Sequence, residues 1–269
     1  DVTIQAQILT LLRNLQREMN MAMIIITHDL GVVARVSDKV AVMYAGQLVE
    51  TGKVDEAFGA PRHPYTQGLL ESIPTPGEIS PGEELGSIPG LVPSLKTNFK
   101  GCRFANRCSR ALQDCHTRLV LLNETAPGRQ SRCLLSEEAA AQVDRAAKKT
   151  AAAASTTYGA ATDVSGTPVL SAKNAECVFR IKPNMFAQPK TLRAVDGISL
   201  DLHRGEVVAV VGESGCGKST LARMLLGLRR PSSGSVTLNG EDISGLSNVE
   251  KSRRVQSIFQ DPYSSLNPR

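Results

Sequence analysis

Residues 212–220 have the residue types and spacing of a phosphate-binding loop. They fit the pattern Gly-x-x-x-x-Gly-Lys-Ser/Thr, with one further threonine. Glycines let the backbone bend so that N–H groups and the N-terminus of a following helix point at concentrated negative charge. Lys218 is expected to reach the β- and γ-phosphates of a nucleotide, and Ser219 to ligate Mg²⁺. The predicted phosphate-binding residues are Gly212, Glu213, Ser214, Gly215, Cys216, Gly217, Lys218, Ser219 and Thr220.

The elements around this loop are the ones that such a loop requires. The continuous apolar run over residues 207–211 predicts a buried strand, and an amphipathic pattern predicts a helix over 218–228. The alternative interpretation, a glycine turn before an ordinary helix, is disfavoured because strand, loop and helix occur together. Cys216 is interpreted as a small residue that the loop tolerates, and not as a redox thiol.

A second set of chemically active side chains is a cluster of cysteines over 32 residues of the chain. Its members are Cys102, Cys108, Cys115 and Cys133. Four thiolates can surround one metal ion or cluster. Zinc sites commonly use closer cysteine pairs, so the spacing favours an iron–sulfur cluster or free thiols over zinc. Cys177, in a predicted strand, is interpreted as a small apolar residue.

Composition narrows the class of protein. The chain has 269 residues, a net charge of +5 and 41% hydrophobic residues, which are typical of globular proteins. Apolar runs are far shorter than the roughly 18 residues that span a bilayer. Lysine and arginine are interspersed with acidic residues, which disfavours nucleic acid as a partner. The chain begins at Asp1 without a methionine or a secretory signal, so we expect a fragment from a reducing compartment.

Helical and strand patterns alternate along the first part of the chain. Residues 3–19 have helical spacing, and strands are predicted over 23–27, 39–44 and 47–51 with a turn at 45–46. This alternation predicts an α/β fold with helices packed on a sheet. We predict four regions: an α/β unit over 1–95, a cysteine-rich appendage over 96–135, an alanine-rich flexible linker over 136–168 and a second α/β unit over 169–269.

Two stretches resemble parts of an ABC transporter ATPase. The loop at 212–220, followed about forty residues later by the segment 259–269, resembles a phosphate loop and its Q-loop. The ending Leu-Asn-Pro-Arg is typical of the dipeptide, oligopeptide and nickel importer branch. Residues 1–95 resemble the far end of another copy, with an H-loop at 26–30 and that branch's tail at 62–66. The tandem order is similar to that of a glutathione-type importer ATPase.

The resemblance implies roles for further residues. His28 corresponds to the switch histidine and Asp1 to the D-loop aspartate. Gln260 corresponds to the Q-loop glutamine and, with His28, is an expected catalytic residue. It is expected to contact either Mg²⁺, which it would hold with Ser219, or the attacking water. Phe179 is the expected adenine-stacking aromatic, with Phe186 as the alternative. The cysteine tail resembles one that holds a 4Fe–4S cluster in some members.

The resemblance also implies a fold and a function. The fold class is α/β, with P-loop NTPase half-domains arranged as three-layer sandwiches. The function is that of an ATP-binding and ATP-hydrolysing motor, with ATP and Mg²⁺ as cofactors. Its expected partners are two membrane-spanning permease subunits and a periplasmic substrate-binding protein, without nucleic acid. The expected location is the cytoplasmic face of the bacterial inner membrane, peripheral and in contact with the membrane only through partners.

Other interpretations stay open at this point. One is a soluble ABC-type ATPase outside transport, and another is an iron–sulfur module with a vestigial nucleotide loop. The signature motif and the acidic Walker B strand of the family do not occur in the chain. We therefore expect weak nucleotide binding and no turnover by the 269 residues alone. The cargo is left open between dipeptide, oligopeptide, glutathione and nickel.

Overall fold

The computed structural model describes residues 2–73, 88–135, 166–181 and 190–258. Asp1, Phe186 and Gln260 lie outside the described residues, as do most of the predicted linker and the whole segment 259–269. Among the described residues, no helix is both long and apolar enough to cross a membrane.

Ten strands and seven α-helices make up the described parts of the chain. The strands are β1 (Met23–Thr27), β2 (Lys39–Tyr44), β3 (Gln47–Lys53), β4 (Asn123–Ala126), β5 (Arg129–Ser131), β6 (Leu170–Ile181), β7 (Lys190–Leu202), β8 (Val207–Val211), β9 (Ser233–Leu238) and β10 (Glu241–Asp242). The α-helices are α1 (Val2–Glu18), α2 (Leu30–Val36), α3 (Val54–Gly59), α4 (Pro64–Glu71), α5 (Gln113–Thr117), α6 (Lys218–Leu225) and α7 (Asn248–Arg254). One-turn 3₁₀ helices occur at Ala105–Arg107 and Ile243–Gly245.

The larger sheet has six strands in the order β1-β8-β2-β3-β5-β4. Strand β8 lies between β1 and β2 and is parallel to both. All of its residues are buried, which is the pattern that a strand with two parallel neighbours requires. The two predicted α/β units, 1–95 and 169–269, therefore contribute strands to one sheet.

Both faces of this sheet are covered, as a three-layer arrangement requires. On one face, Val210 and its neighbours share a buried core with Leu221 and Met224 of α6 and with residues of the second sheet. On the other face, Val211 shares a core with Val33 of α2, with α3 and α4 and with residues of the appendage. The predicted α/β class is confirmed.

The smaller sheet is antiparallel, in the order β10-β9-β6-β7. Its long hairpin of β6 and β7 packs against α6, so the phosphate-loop helix lies against both sheets. The predicted helix over 218–228 ends earlier, at Leu225. The reason is Gly227, whose φ of +65° is a left-handed conformation that stops a helix.

Candidate nucleotide-phosphate site

The loop from Gly212 to Gly217 joins the carboxyl end of β8 to the start of α6. Gly212 and Gly217 have φ angles of +150° and +107°, which residues with a side chain rarely adopt. A Cβ atom at Gly212 would overlap the carbonyl oxygen of Met43, and one at Gly217 would overlap that of Ala194. These two glycines are required because neighbouring strands press directly on the loop backbone.

Lys218 folds back over the loop that precedes it. Its Nζ donates hydrogen bonds to the carbonyl oxygens of Gly212, at 2.7 Å, and Glu213, at 2.8 Å. An ammonium group held in this way places a positive charge over the loop, where a phosphate oxygen can replace the carbonyl oxygens as its partner. Ser214, Gly215 and Ser219 are exposed, so the loop is open to a ligand from solvent.

Cys216 faces inward, away from the exposed side of the loop. It is fully buried in the core beneath α6, and this burial raises the pKa of its thiol. Its carbonyl oxygen accepts a hydrogen bond from the N–H of Gly46 at 2.8 Å. A buried neutral thiol agrees with the interpretation of Cys216 as a small residue that the loop tolerates.

His28 lies at the same edge of the sheet as the loop. It follows β1 directly, and Thr27 at the end of β1 pairs with Val211 at the end of β8. His28 and Gly212 are therefore the next residues on two neighbouring parallel strands, and the His28 side chain is exposed. The structure brings this predicted residue to the loop, whereas Asp1 and Gln260 are outside the described residues.

Phe179 is joined to the loop through β7. It pairs with Leu192, two residues before Ala194, whose carbonyl oxygen lies against Gly217. The guanidinium group of Arg229 stands over the Phe179 ring at 4.3 Å from its centroid. An adenine stacked on this face of Phe179 would therefore have to displace Arg229.

Two residues that the sequence analysis did not assign to the site hold Glu213 of the loop. The hydroxyl oxygen of Tyr65, on α4, accepts a hydrogen bond from the Glu213 N–H at 2.8 Å. Arg107 of the appendage forms an ion pair with the Glu213 carboxylate. Tyr65 belongs to the segment 62–66 and Arg107 precedes a cluster cysteine, but nothing in either pattern pointed to the loop.

The four cluster cysteines line one small pocket in the appendage, together with His63, Phe104 and mostly apolar neighbours. Burial, above all, raises the pKa of Cys102 to about 11 and also raises the pKa values of Cys108 and Cys133. These thiols are therefore neutral near pH 7. Within the described ranges, no three His, Cys, Asp or Glu side chains have a geometry that holds a metal ion.

Two sequence families match the chain. The ABC transporter family matches residues 195–269, which include the phosphate loop. The family of the oligopeptide/dipeptide transporter C-terminal region matches residues 49–115, which include α4 and three of the cluster cysteines. The chain is related to ABC transporter ATP-binding proteins.

Curated ABC relatives match over the whole chain. This chain is 38% identical over 278 aligned residues to the oligopeptide transport ATP-binding protein OppD of Mycobacterium tuberculosis, and the alignment covers 100% of this chain and 44% of that protein. It is 37% identical over 273 residues to the glutathione import ATP-binding protein GsiA of Escherichia coli K12, covering 100% of this chain and 35% of that protein. The chain thus spans less than half of the length of either relative.

Among solved structures, the chain matches a dimeric ATP-binding cassette bound to ADP and Pi. The match covers 31% of this chain and 34% of the other, at 24% identity and a TM-score of 0.27.

Proposed function

We propose that this chain is part of the ATP-binding and ATP-hydrolysing motor subunit of an ABC importer for small peptides or glutathione. The observation that carries the proposal is the loop at 212–219, which has the phosphate-loop pattern, lies within the match to the ABC transporter family, and packs at Gly212 and Gly217 against carbonyl oxygens of β2 and β7. The relatives named for oligopeptide and glutathione import support the cargo class.

The loop residues account for binding of a triphosphate. Ser219, in the first turn of α6, is exposed. Backbone N–H groups at this helix start are proposed to donate to phosphate oxygens, since the helix dipole there favours negative charge. Lys218 supplies a positive charge that now rests on two carbonyl oxygens. His28, at the adjacent strand end, is proposed to contact the γ-phosphate, and Phe179 to stack on the adenine.

Two residues are proposed to hold Mg²⁺: Gln260, which lies outside the described residues, and Ser219. Its side chain is exposed in the first turn of α6, next to Lys218. A hydroxyl oxygen beside a phosphate is a donor that Mg²⁺ accepts, because this ion binds through few protein oxygens and substrate phosphates. Bound there, Mg²⁺ supplies charge neutralisation at the phosphates.

Calorimetric titration of the 269-residue chain tests the nucleotide site. Mg-ATP is expected to bind more tightly than Mg-ADP, and AMP to bind weakest, because the loop engages the β- and γ-phosphates. Amide hydrogen exchange should show protection over residues 212–226 when ATP is present. Equal affinity for ATP and AMP, or no protection of this segment, would contradict the proposal.

The transport role is tested in the longer protein that contains this chain. The proposed partners are two permease subunits and a periplasmic binding protein, at the cytoplasmic face of a bacterial inner membrane. Lys218→Ala should abolish ATP-dependent uptake of a labelled small peptide or of glutathione, whereas Lys100→Ala, an exposed lysine of the appendage, should not. Normal uptake with Lys218→Ala would contradict the motor role.

We also propose that the four cluster cysteines bind a 4Fe–4S cluster. Four soft donors around one apolar pocket support the donor chemistry. The described side chains do not have a ligating geometry, so the thiols would have to move inward. Protein purified without oxygen should be brown and contain iron, and Cys108→Ser should lose both properties, whereas Cys177→Ala should keep them. Colourless, iron-free wild-type protein would contradict this proposal.

A further inference from the structure

We propose that Arg107 is a positioning residue of the phosphate loop, acting through Glu213, and that Tyr65 holds the same loop residue from the other side. This inference deepens the proposed function and rests on it, because it concerns how the nucleotide site is shaped. It assigns to the appendage the task of holding the loop in place.

The guanidinium group of Arg107 uses every N–H that it has. Two of these bonds go to the Glu213 carboxylate, from Nη1 to Oε2 at 2.8 Å and from Nη2 to Oε1 at 3.1 Å. The others go to the hydroxyl of Tyr44 and to the carbonyl oxygens of Ile88 and Pro89. Since an arginine has five N–H donors, this guanidinium is fixed in one orientation.

The ion pair is bidentate and shielded from solvent on the Arg107 side. The side chain of Arg107 is 6% exposed and that of Glu213 is 27% exposed. Two parallel charge-assisted hydrogen bonds in such a place are stronger and more directional than a surface ion pair. The Arg107 guanidinium also stands over the rings of Tyr44 and Phe104, so packing supports its position.

Tyr65 fixes the backbone of the same loop residue. Its ring is fully buried and packs against Tyr44 and Phe104. Burial raises the pKa of its hydroxyl, so the group is neutral and can accept the N–H of Glu213. Glu213 is thus held at its carboxylate by Arg107 and at its N–H by Tyr65.

A fixed loop binds phosphate more tightly than a mobile one, because the cost of ordering it is paid before the ligand arrives. The exposed residues after Glu213 are the ones proposed to meet phosphate. Without these two contacts, Glu213 would keep the hydrogen bonds that its carbonyl oxygen accepts from Lys218 and Cys216, and these do not tie it to the appendage or to α4. We therefore expect loss of either contact to weaken nucleotide binding although neither partner touches the nucleotide.

A double-mutant cycle tests this on the full 269-residue chain, with Mg-ATP affinity as the readout. In the wild-type background, Arg107→Gln should weaken binding about tenfold, as expected for loss of a charge-assisted contact. In the Glu213→Gln background, the same substitution should change affinity less than about twofold. A matched cycle with Arg254→Gln and Glu241→Gln, an exposed ion pair outside the site, should leave affinity unchanged.

The cycle separates positioning from direct attraction. If Arg107 attracts the phosphates by its charge alone, Arg107→Gln weakens binding equally with Glu213 and with Gln at position 213, and the inference is wrong. Equal binding by wild type and Arg107→Gln overturns the inference and leaves the proposed function intact. No binding by the wild type overturns the proposed function and the inference with it.

Tyr65→Phe provides an independent variant in case Arg107→Gln does not fold. It removes only the oxygen that accepts the Glu213 N–H. Exchange of that one amide should become faster in the nucleotide-free protein, and Mg-ATP affinity should fall by several-fold. Unchanged exchange of the Glu213 amide would show that the hydrogen bond does not hold the loop, and would overturn the inference.

Discussion

The phosphate loop and the cysteine pocket differ in what determines their shape. In the loop, backbone atoms of β2 and β7 lie where a Cβ at Gly212 or Gly217 would be, so only glycine fits at these two positions. In the pocket, thiols from distant positions are gathered by apolar packing around Phe104. The glycine pattern therefore predicts the backbone geometry of the loop. The cysteine spacing predicts only which residues lie in the pocket.

The largest effect on stability and nucleotide affinity should come from placing a side chain at Gly217 of the loop. Gly217→Ala places a Cβ against the carbonyl oxygen of Ala194 at a φ of +107°. We expect a loss of about 3 kcal/mol in the free energy of unfolding. Mg-ATP affinity should fall on the order of 100-fold, which is about 2.7 kcal/mol. Urea unfolding and calorimetric titration measure the two losses.

Gly215→Ala is the matched control. Gly215 has a φ of +79°, but a Cβ there meets no atom within 4 Å. We expect a cost of about 1 kcal/mol from backbone strain alone. If both substitutions cost the same, contact with the neighbouring strands does not shape the loop.

His63 lies between the cysteine pocket and Tyr65, which contacts the phosphate loop, and it should make the stability of the protein depend on pH. It lines the cysteine pocket, and its Nδ1 accepts the N–H of Tyr65 at the start of α4. Burial, and next the positive charge of Arg132, lower the pKa of His63 to about 3 from 6.5. As the pH falls, His63 therefore takes up a proton in the unfolded chain before it does so in the folded one. This contribution to stability is complete above about pH 6.5 and is lost as the pH falls towards 3.

Urea unfolding at pH 7 and pH 5 measures this dependence. From pH 7 to pH 5, the free energy of unfolding should fall by about 2 kcal/mol more in the wild type than in His63→Asn, because asparagine does not titrate and can still cap α4. His116→Asn, at an exposed position on α5, should retain the wild-type loss. Equal pH dependence in wild type and His63→Asn would show that His63 is not buried in its neutral form.

The smallest effect should come from the cysteine pocket on nucleotide binding. Cys108→Ser removes a pocket thiol but keeps the backbone turn that carries Arg107. Mg-ATP affinity should change by less than about twofold, since among the described residues no hydrogen bond joins the Cys108 side chain to the phosphate loop. Calorimetry that gives a tenfold loss would show that the two regions act as one site.

Local patterns predicted most of the elements that form the site. Val207–Val211 is apolar at every position, so it was recognisable as a buried strand, and the glycine pattern placed the loop directly after it. His28 was placed at a strand end by the apolar run before it. In each case the information lies within a few neighbouring residues.

The sequence did not reveal contacts between distant segments. The regions 1–95 and 169–269 were predicted as successive half-domains, and their sharing of one sheet depends on β8 pairing with β1 and β2. The contacts of Tyr65 and Arg107 with Glu213 join positions separated by 148 and 106 residues. Such pairs leave no periodic signal, because neither partner's local pattern depends on the other.

Calorimetric titration of Lys218→Ala with Mg-ATP tests whether Lys218 and the loop bind the phosphates of ATP. Wild type and Lys100→Ala should bind Mg-ATP equally and Lys218→Ala should show no measurable binding heat, while all three unfold at similar urea concentrations. Binding of Mg-ATP by Lys218→Ala with wild-type affinity would contradict this role of Lys218.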